Sequence, residues 1–177
     1  MKNPVVKYIL VILVTALILF GMSAGLAGVA EKNAQAVSLA AMQALLPGST
    51  EFTEEAYTGE DANIRAVHKG STGFVLEVSS YGYADDITML VGVSNEGTVT
   101  GLVIADMAET PGLGGTALND AAFLGQFLYG GTVEMGTDVD ALTGATVTSK
   151  AIARCVNSAV AFVTGADAES GATSWGG

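Results

Sequence analysis

The residues most able to do chemistry lie in one stretch, Asp140-Ala141-Leu142-Thr143-Gly144-Ala145-Thr146-Val147-Thr148-Ser149. It joins an acidic, glycine-bearing loop to a segment in which Ile152, Val156, Ala159, Val160 and Val163 recur at helical spacing. Thr146 or Thr148 would sit at the cap of that helix, where a hydroxyl satisfies orphan backbone N–H groups. The amides of such an end, backed by the helix dipole, also suit a phosphate. No Asp or Glu falls in the first turn, and Lys150 and Arg154 lie on the polar side, so an anion would meet no local repulsion. On these grounds alone an ordinary cap and tight turn is the favoured reading of the stretch.

Composition removes other chemistries. The chain has 177 residues and a formal charge of −11, which argues against a nucleic-acid partner, since phosphate backbones need a basic surface. The single cysteine excludes an internal disulfide, a CxxC redox pair and a cysteine-ligated cluster. The single histidine makes a histidine-based metal site equally improbable, and no metal ligand set is expected. His68 reads as a surface strand residue and Cys155 as an inert core thiol. Redox chemistry here would need an organic cofactor or a partner.

The positioning elements follow along the chain. Tyr8 to Ala30 is a run of 23 uncharged residues, which as a helix reaches about 34 Å, enough for a hydrocarbon core of about 30 Å. A cleaved signal peptide competes with this reading, because Lys2 and Lys7 form an n-region and small residues follow. The run exceeds a usual h-region, so an uncleaved anchor (1–30) is favoured, with its N-terminus in the cytoplasm. Without Lys2 and Lys7, 5 of the 7 basic residues remain against 18 acidic ones, and the net −13 would keep the exported part clear of anionic headgroups. Gly21, Ala24, Gly25 and Gly28 offer a small-residue face for another helix.

The globular part (31–163) reads as α+β, an antiparallel sheet with packed helices. Ala34 to Leu46 is a helix with Val37, Ala41, Ala44 and Leu45 on one side, stopped by Pro47-Gly48. Ser49 to Asn63 is an acidic, solvated excursion. Ile64–His68 and Phe74–Val78 alternate as strands, and Ile87–Val93 with Val99–Ala105 form a hairpin about Ser94-Asn95-Glu96-Gly97. Asn119 caps a helix from Asp120 to Tyr129, ended by Gly130-Gly131, and Thr132–Met135 is a short extended piece. The tail (164–177) is expected to be flexible, with Trp175 touching a neighbour.

Two motifs carry a resemblance. Asp-x-x-Thr-Gly-Ala-Thr (140–146) is similar to the motif of covalent-FMN domains in the G subunit of the Rnf electron transport complex and in the C subunit of the Na⁺-translocating NADH:quinone reductase. Glu109-Thr110-Pro111-Gly112-Leu113-Gly114, after the hairpin, is the second; Gly82-Tyr83-x-x-x-Ile87 before it also resembles the family. The loose match of Gly112-x-Gly114-x-x-Ala117 to a Rossmann fingerprint is rejected, because antiparallel strands precede it. Spacing and chain length look more like the Rnf G subunit. Met107-Ala108, where relatives often carry a polar residue or histidine, departs from the pattern.

The resemblance implies that an exported flavin transferase moves FMN from FAD onto Thr146 through a phosphoester. Asp140, Thr143, Gly144 and Ala145 would form its recognition frame. Glu109 to Gly114 would be a stiff loop against the isoalloxazine ring. It further implies an electron-carrying subunit of a membrane-bound, ion-translocating ferredoxin:NAD⁺ oxidoreductase, working with other membrane and redox subunits. Two alternatives stand beside it. One is a flavin domain of a quinone reductase or of a free-standing exported carrier. The other is a non-redox, membrane- or lipid-anchored interaction module.

Overall fold

The computed structural model describes residues 36–107 and 120–166. The chain divides into Met1–Ala40 and a compact unit, Ala41–Gly177. Of the first, residues 36–40 are described and are helical. The run Tyr8–Ala30, the Glu109–Gly114 motif, Asn119 and Trp175 lie outside the described residues. Among the described residues, no helix is long and apolar enough to cross a membrane.

The compact unit is built on five antiparallel strands in the order β1-β2-β3-β4-β5. They are β1 (Thr53–Glu55), β2 (Ile64–Lys69), β3 (Gly73–Tyr81), β4 (Asp86–Ser94) and β5 (Val99–Met107). Each strand follows its predecessor, so short turns suffice. The expected hairpin is present, with Ser94 N–H donating to the Thr98 carbonyl at 2.8 Å. The predicted strands are found and run longer than predicted. β1 corrects the solvated excursion: Thr53-Glu54-Glu55 pairs with Lys69, His68 and Val67. Its residues lack the alternation that marks a buried strand, because they form an edge with exposed side chains.

Three helices complete the described chain: α1 (36–45), α2 (Ala121–Gly125) and α3 (Thr146–Thr164). The face predicted for α1 is corrected in part. Leu45 is buried and Ala41 half-buried as predicted, whereas Val37 and Ala44 are exposed, and Met42 and Leu46 join Leu45 over Val75 instead. Only the last turn docks on the sheet, and it comes so close that a Cβ at Gly92 would strike the Leu45 carbonyl. α2 is shorter than predicted, and its cap is Asp120, whose carboxylate accepts from Ala122 and Phe123 N–H at 2.9 and 3.0 Å. The chain leaves its turns at Tyr129, in the left-handed region (φ 63°). Tyr129 and Gly130 then exchange two backbone hydrogen bonds with Val99, each 2.9 Å.

α3 packs across the opposite face of the sheet from α1. Leu76, Val78, Ile87, Met89 and Val91 meet Ile152, Val156, Ala159 and Val160 there, with Phe123 and Phe127 of the α2 segment. Phe123 and Phe127 meet edge to face at 5.3 Å, as do Phe74 and Phe162 at 5.4 Å. The segment predicted as extended, Thr132–Met135, is not a strand. The buried Asn157 side chain holds it, accepting from Val133 N–H (2.8 Å) and donating to the Val133 carbonyl (3.0 Å). Cys155 is buried, as expected. Its thiol points at the Ile87 carbonyl (3.9 Å) and is pushed up to about 12, chiefly by burial. His68 is a half-buried strand residue opposite Glu54.

Candidate functional site: the turn before the last helix

The residues from Leu142 to Ala145 form a tight turn, closed by a 2.9 Å hydrogen bond from Ala145 N–H to the Leu142 carbonyl. Gly144 takes its third position with φ 80°, the value a type II turn requires and one that a Cβ disfavours. The helix begins at once. Ala145 is the N-cap, and Thr146 already has helical geometry as the first residue of α3. This corrects the expected threonine cap. A methyl group stands at the cap, so no side-chain hydrogen bond is made there, and Thr148 is buried within the first turn.

Thr146 is half-buried and Val147 half-exposed. Thr146 and Val147 open the helix, where geometry supplies no intrahelical acceptor for their amides, and no acidic residue lies in that turn. The helix dipole adds partial positive charge. A phosphate esterified at this position would stand at a helix start whose first turn carries no acidic residue, so the residues fit such a group. Arg154 is engaged with the sheet. Its guanidinium donates to the Ser80 hydroxyl (3.0 Å) and to the Tyr81 carbonyl (2.9 Å), tying α3 to the end of β3. Lys150 is half-buried on the same helix.

The loop is held from both sides by residues that sequence reasoning missed. Gln126, just past α2, accepts from Asp140 N–H at 2.9 Å. Ser149 accepts from Leu142 N–H at 3.2 Å and donates to the Ala145 carbonyl at 2.9 Å. A signal for Ser149 was present. It falls three and seven residues before Ile152 and Val156, which puts a polar side chain on the apolar stripe.

Sheet and helix place this turn toward one end of the sheet. Tyr81 pairs with Asp86, and Ile87 with Met107, so β3 ends, β4 begins and β5 ends together. Arg154 and Cys155 contact this end, while Phe162 lies over Phe74 at the other. The eight residues from Thr146 to Arg154 rise about 12 Å, so the first turns of α3 project beyond the end where β5 leaves the sheet. Of the expected site residues, Thr143, Gly144 and Ala145 share one turn, with Asp140 two residues before it and Thr146 directly after it. Glu109, Thr110, Pro111, Gly112, Leu113 and Gly114 lie outside the described residues.

Comparison with known proteins meets this geometry. The FMN-binding domain family matches residues 82–161, which run from the turn before β4 through most of α3. The G subunit of the ion-translocating oxidoreductase complex of Methanosarcina acetivorans is 33% identical over 140 residues, covering 70% of this chain and 73% of that protein. The chain belongs to this G-subunit family. Two further G subunits are similar. That of the Na⁺-translocating ferredoxin:NAD⁺ oxidoreductase complex of Acetobacterium woodii is 38% identical over 89 residues (45% of this chain, 42% of that one). That of the proton-translocating ferredoxin:NAD⁺ oxidoreductase complex of Clostridium ljungdahlii is 37% identical over 109 residues (56% and 58%). The match thus spans about half the length of these two relatives.

Proposed function

We propose that this G-subunit homologue is an electron carrier in a membrane-bound, ion-translocating ferredoxin:NAD⁺ oxidoreductase complex, with FMN esterified to Thr146. The observation that carries this is the presentation of Thr146: a half-buried threonine opening a helix whose cap makes no side-chain hydrogen bond, with no acid in the first turn. The names of the similar proteins support the complex, and the family match supports the cofactor.

When bound, FMN supplies the electron chemistry. The protein's part is to hold and orient. Thr146 Oγ1 fixes the phosphate, and the amides of the first turn of α3 face its charge. The left-handed Gly144 lets the turn fold back tightly before the helix. Glu109, Thr110, Pro111, Gly112, Leu113 and Gly114, which follow β5, would approach the ring, since proline stiffens such a loop and glycines admit a flat group. Asp140, Thr143 and Ala145 complete the frame an exported flavin transferase would read. The run before Ala30 would anchor the chain once, with residues 31–163 outside the membrane and 164–177 as a tail. The remaining membrane and redox subunits would then pack around it.

Replacing Thr146 tests the reading. Thr146→Ala should abolish covalent flavin and leave the fold intact, whereas Thr148→Ala should keep the flavin. Yellow fluorescence retained by the Thr146→Ala band on a denaturing gel would refute it. Protein made without an exported flavin transferase should have the mass of the bare chain.

A further inference from the structure

The turn that carries Thr146 lacks the device that usually holds a helix start, since its cap residue is an alanine without a side-chain hydrogen bond. One side chain substitutes for it. Ser149 is fully buried, and its single oxygen bonds backbone on both sides of the turn: the Leu142 amide (3.2 Å) and the Ala145 carbonyl (2.9 Å). Ser149 N–H also donates to that carbonyl at 2.9 Å. Leu142 and Ala145 are the first and last residues of the turn, so this oxygen clamps it shut away from water. The same clamp fixes where α3 begins, and therefore where the Thr146 hydroxyl stands relative to Thr143 and Thr148.

We infer that Ser149 is a positioning residue for flavin attachment, locking the Leu142–Ala145 turn so that Thr146 is presented as the acceptor. This rests on the reading of Thr146 given above. In the transfer, Thr146 Oγ1 attacks the riboflavin-side phosphorus of FAD. The new O–P bond forms as the pyrophosphate P–O bond breaks, AMP leaves, and the hydroxyl proton passes to the transferase. Ser149 touches neither FAD nor the reacting oxygen. It spares the transferase from ordering the turn at each encounter, and misplacement of a reacting group by about 1 Å can cost 10²-fold.

The test uses the full-length chain in detergent with a flavin transferase and FAD, read as covalent fluorescence against time. Ser149→Ala should lower kcat/KM for the acceptor chain roughly ten- to hundredfold and leave the KM for FAD unchanged. Ser149→Thr, which keeps the oxygen, should recover most of the rate. Val160→Ala, which loosens the same helix far from the turn, should be labelled like the wild type. Labelling of Ser149→Ala within about twofold of the wild type would overturn the inference. So would equal losses in Ser149→Ala and Val160→Ala, or no recovery in Ser149→Thr. Hydrogen exchange of the Leu142 amide in the unlabelled wild type needs no variant: slow exchange is expected, and exchange at the unfolded-chain rate overturns the clamp. Flavin retained by Thr146→Ala would instead refute the acceptor assignment, and the inference with it.

Discussion

Asn157→Ala should be among the most damaging single changes in the compact unit. The side chain is fully buried and serves both backbone groups of Val133, which is itself 5% exposed. Truncation leaves one buried N–H and one buried carbonyl without their partners, at about 1–3 kcal/mol each. A water drawn into the polar gap would recover part of this, so the loss should be about 2–4 kcal/mol. For a unit of this size that is a fall in Tm of roughly 8–16 °C. Asn157→Asp separates hydrogen bonding from volume. It keeps the acceptor for Val133 N–H but turns a carboxylate oxygen toward the Val133 carbonyl. That contact favours the protonated form and raises the folded-state pKa above the unfolded one. The stability it restores is therefore present in acid and lost as pH rises through the folded pKa. Far-UV circular dichroism melts of the full-length chain at neutral and acidic pH would show this. A loss below about 1 kcal/mol for Asn157→Ala, or an Asn157→Asp protein as stable as the wild type at pH 7, would refute the reasoning.

Gly144→Ala forces a side chain into the left-handed region (φ 80°) and should cost about 1–2 kcal/mol; because the strain falls within the turn, covalent flavin should also be lost in growing cells. A variant that melts and labels like the wild type would refute this. Arg154→Ala should lower Tm, since it frees the end of β3 from α3, yet keep its flavin; loss of fluorescence from a folded Arg154→Ala protein would place that guanidinium at the cofactor after all. Cys155 has a folded pKa of about 12 against an ordinary 9.0. Its contribution is therefore complete below pH 9 and drains away as pH rises through 9 toward 12, by about 1.4 kcal/mol per unit. Urea denaturation at pH 8 and pH 10 should show a steeper loss for the wild type than for Cys155→Ala, and equal slopes would contradict it.

What the sequence made legible follows from where each residue's signal comes from. α3 was readable because Ile152, Val156, Ala159 and Val160 repeat at the helical period and face one apolar surface. The β4–β5 hairpin was readable because a short polar turn with a glycine separates two apolar runs. β1 escaped because Thr53, Glu54 and Glu55 bury little, and their pairing depends on partners further along the chain, Lys69, His68 and Val67. The face of α1 was misjudged because Val37 and Ala44 match the period, while docking geometry admits only Met42, Leu45 and Leu46. At the candidate site the turn, its glycine and the start of the helix were visible in Thr143-Gly144-Ala145-Thr146. The threonine cap was not borne out, because the helix starts one residue earlier than a capping threonine would need. The clamp by Ser149 and the contact from Gln126 were hidden for a different reason. Ser149 bonds backbone 4 and 7 residues before it and Gln126 backbone 14 residues after it, and nothing in a residue's type names its backbone partner.

Arg154, Cys155, Asn157, Ser158 and Phe162 each reach a different part of the domain from α3, so the helix behaves as a rivet rather than a lever. A group esterified to its first residue would be mounted on a helix pinned to the domain along its length. Its freedom to swing comes from its own rotatable bonds and not from the polypeptide. Any larger reorientation of such a group would then require the compact unit to move as a body.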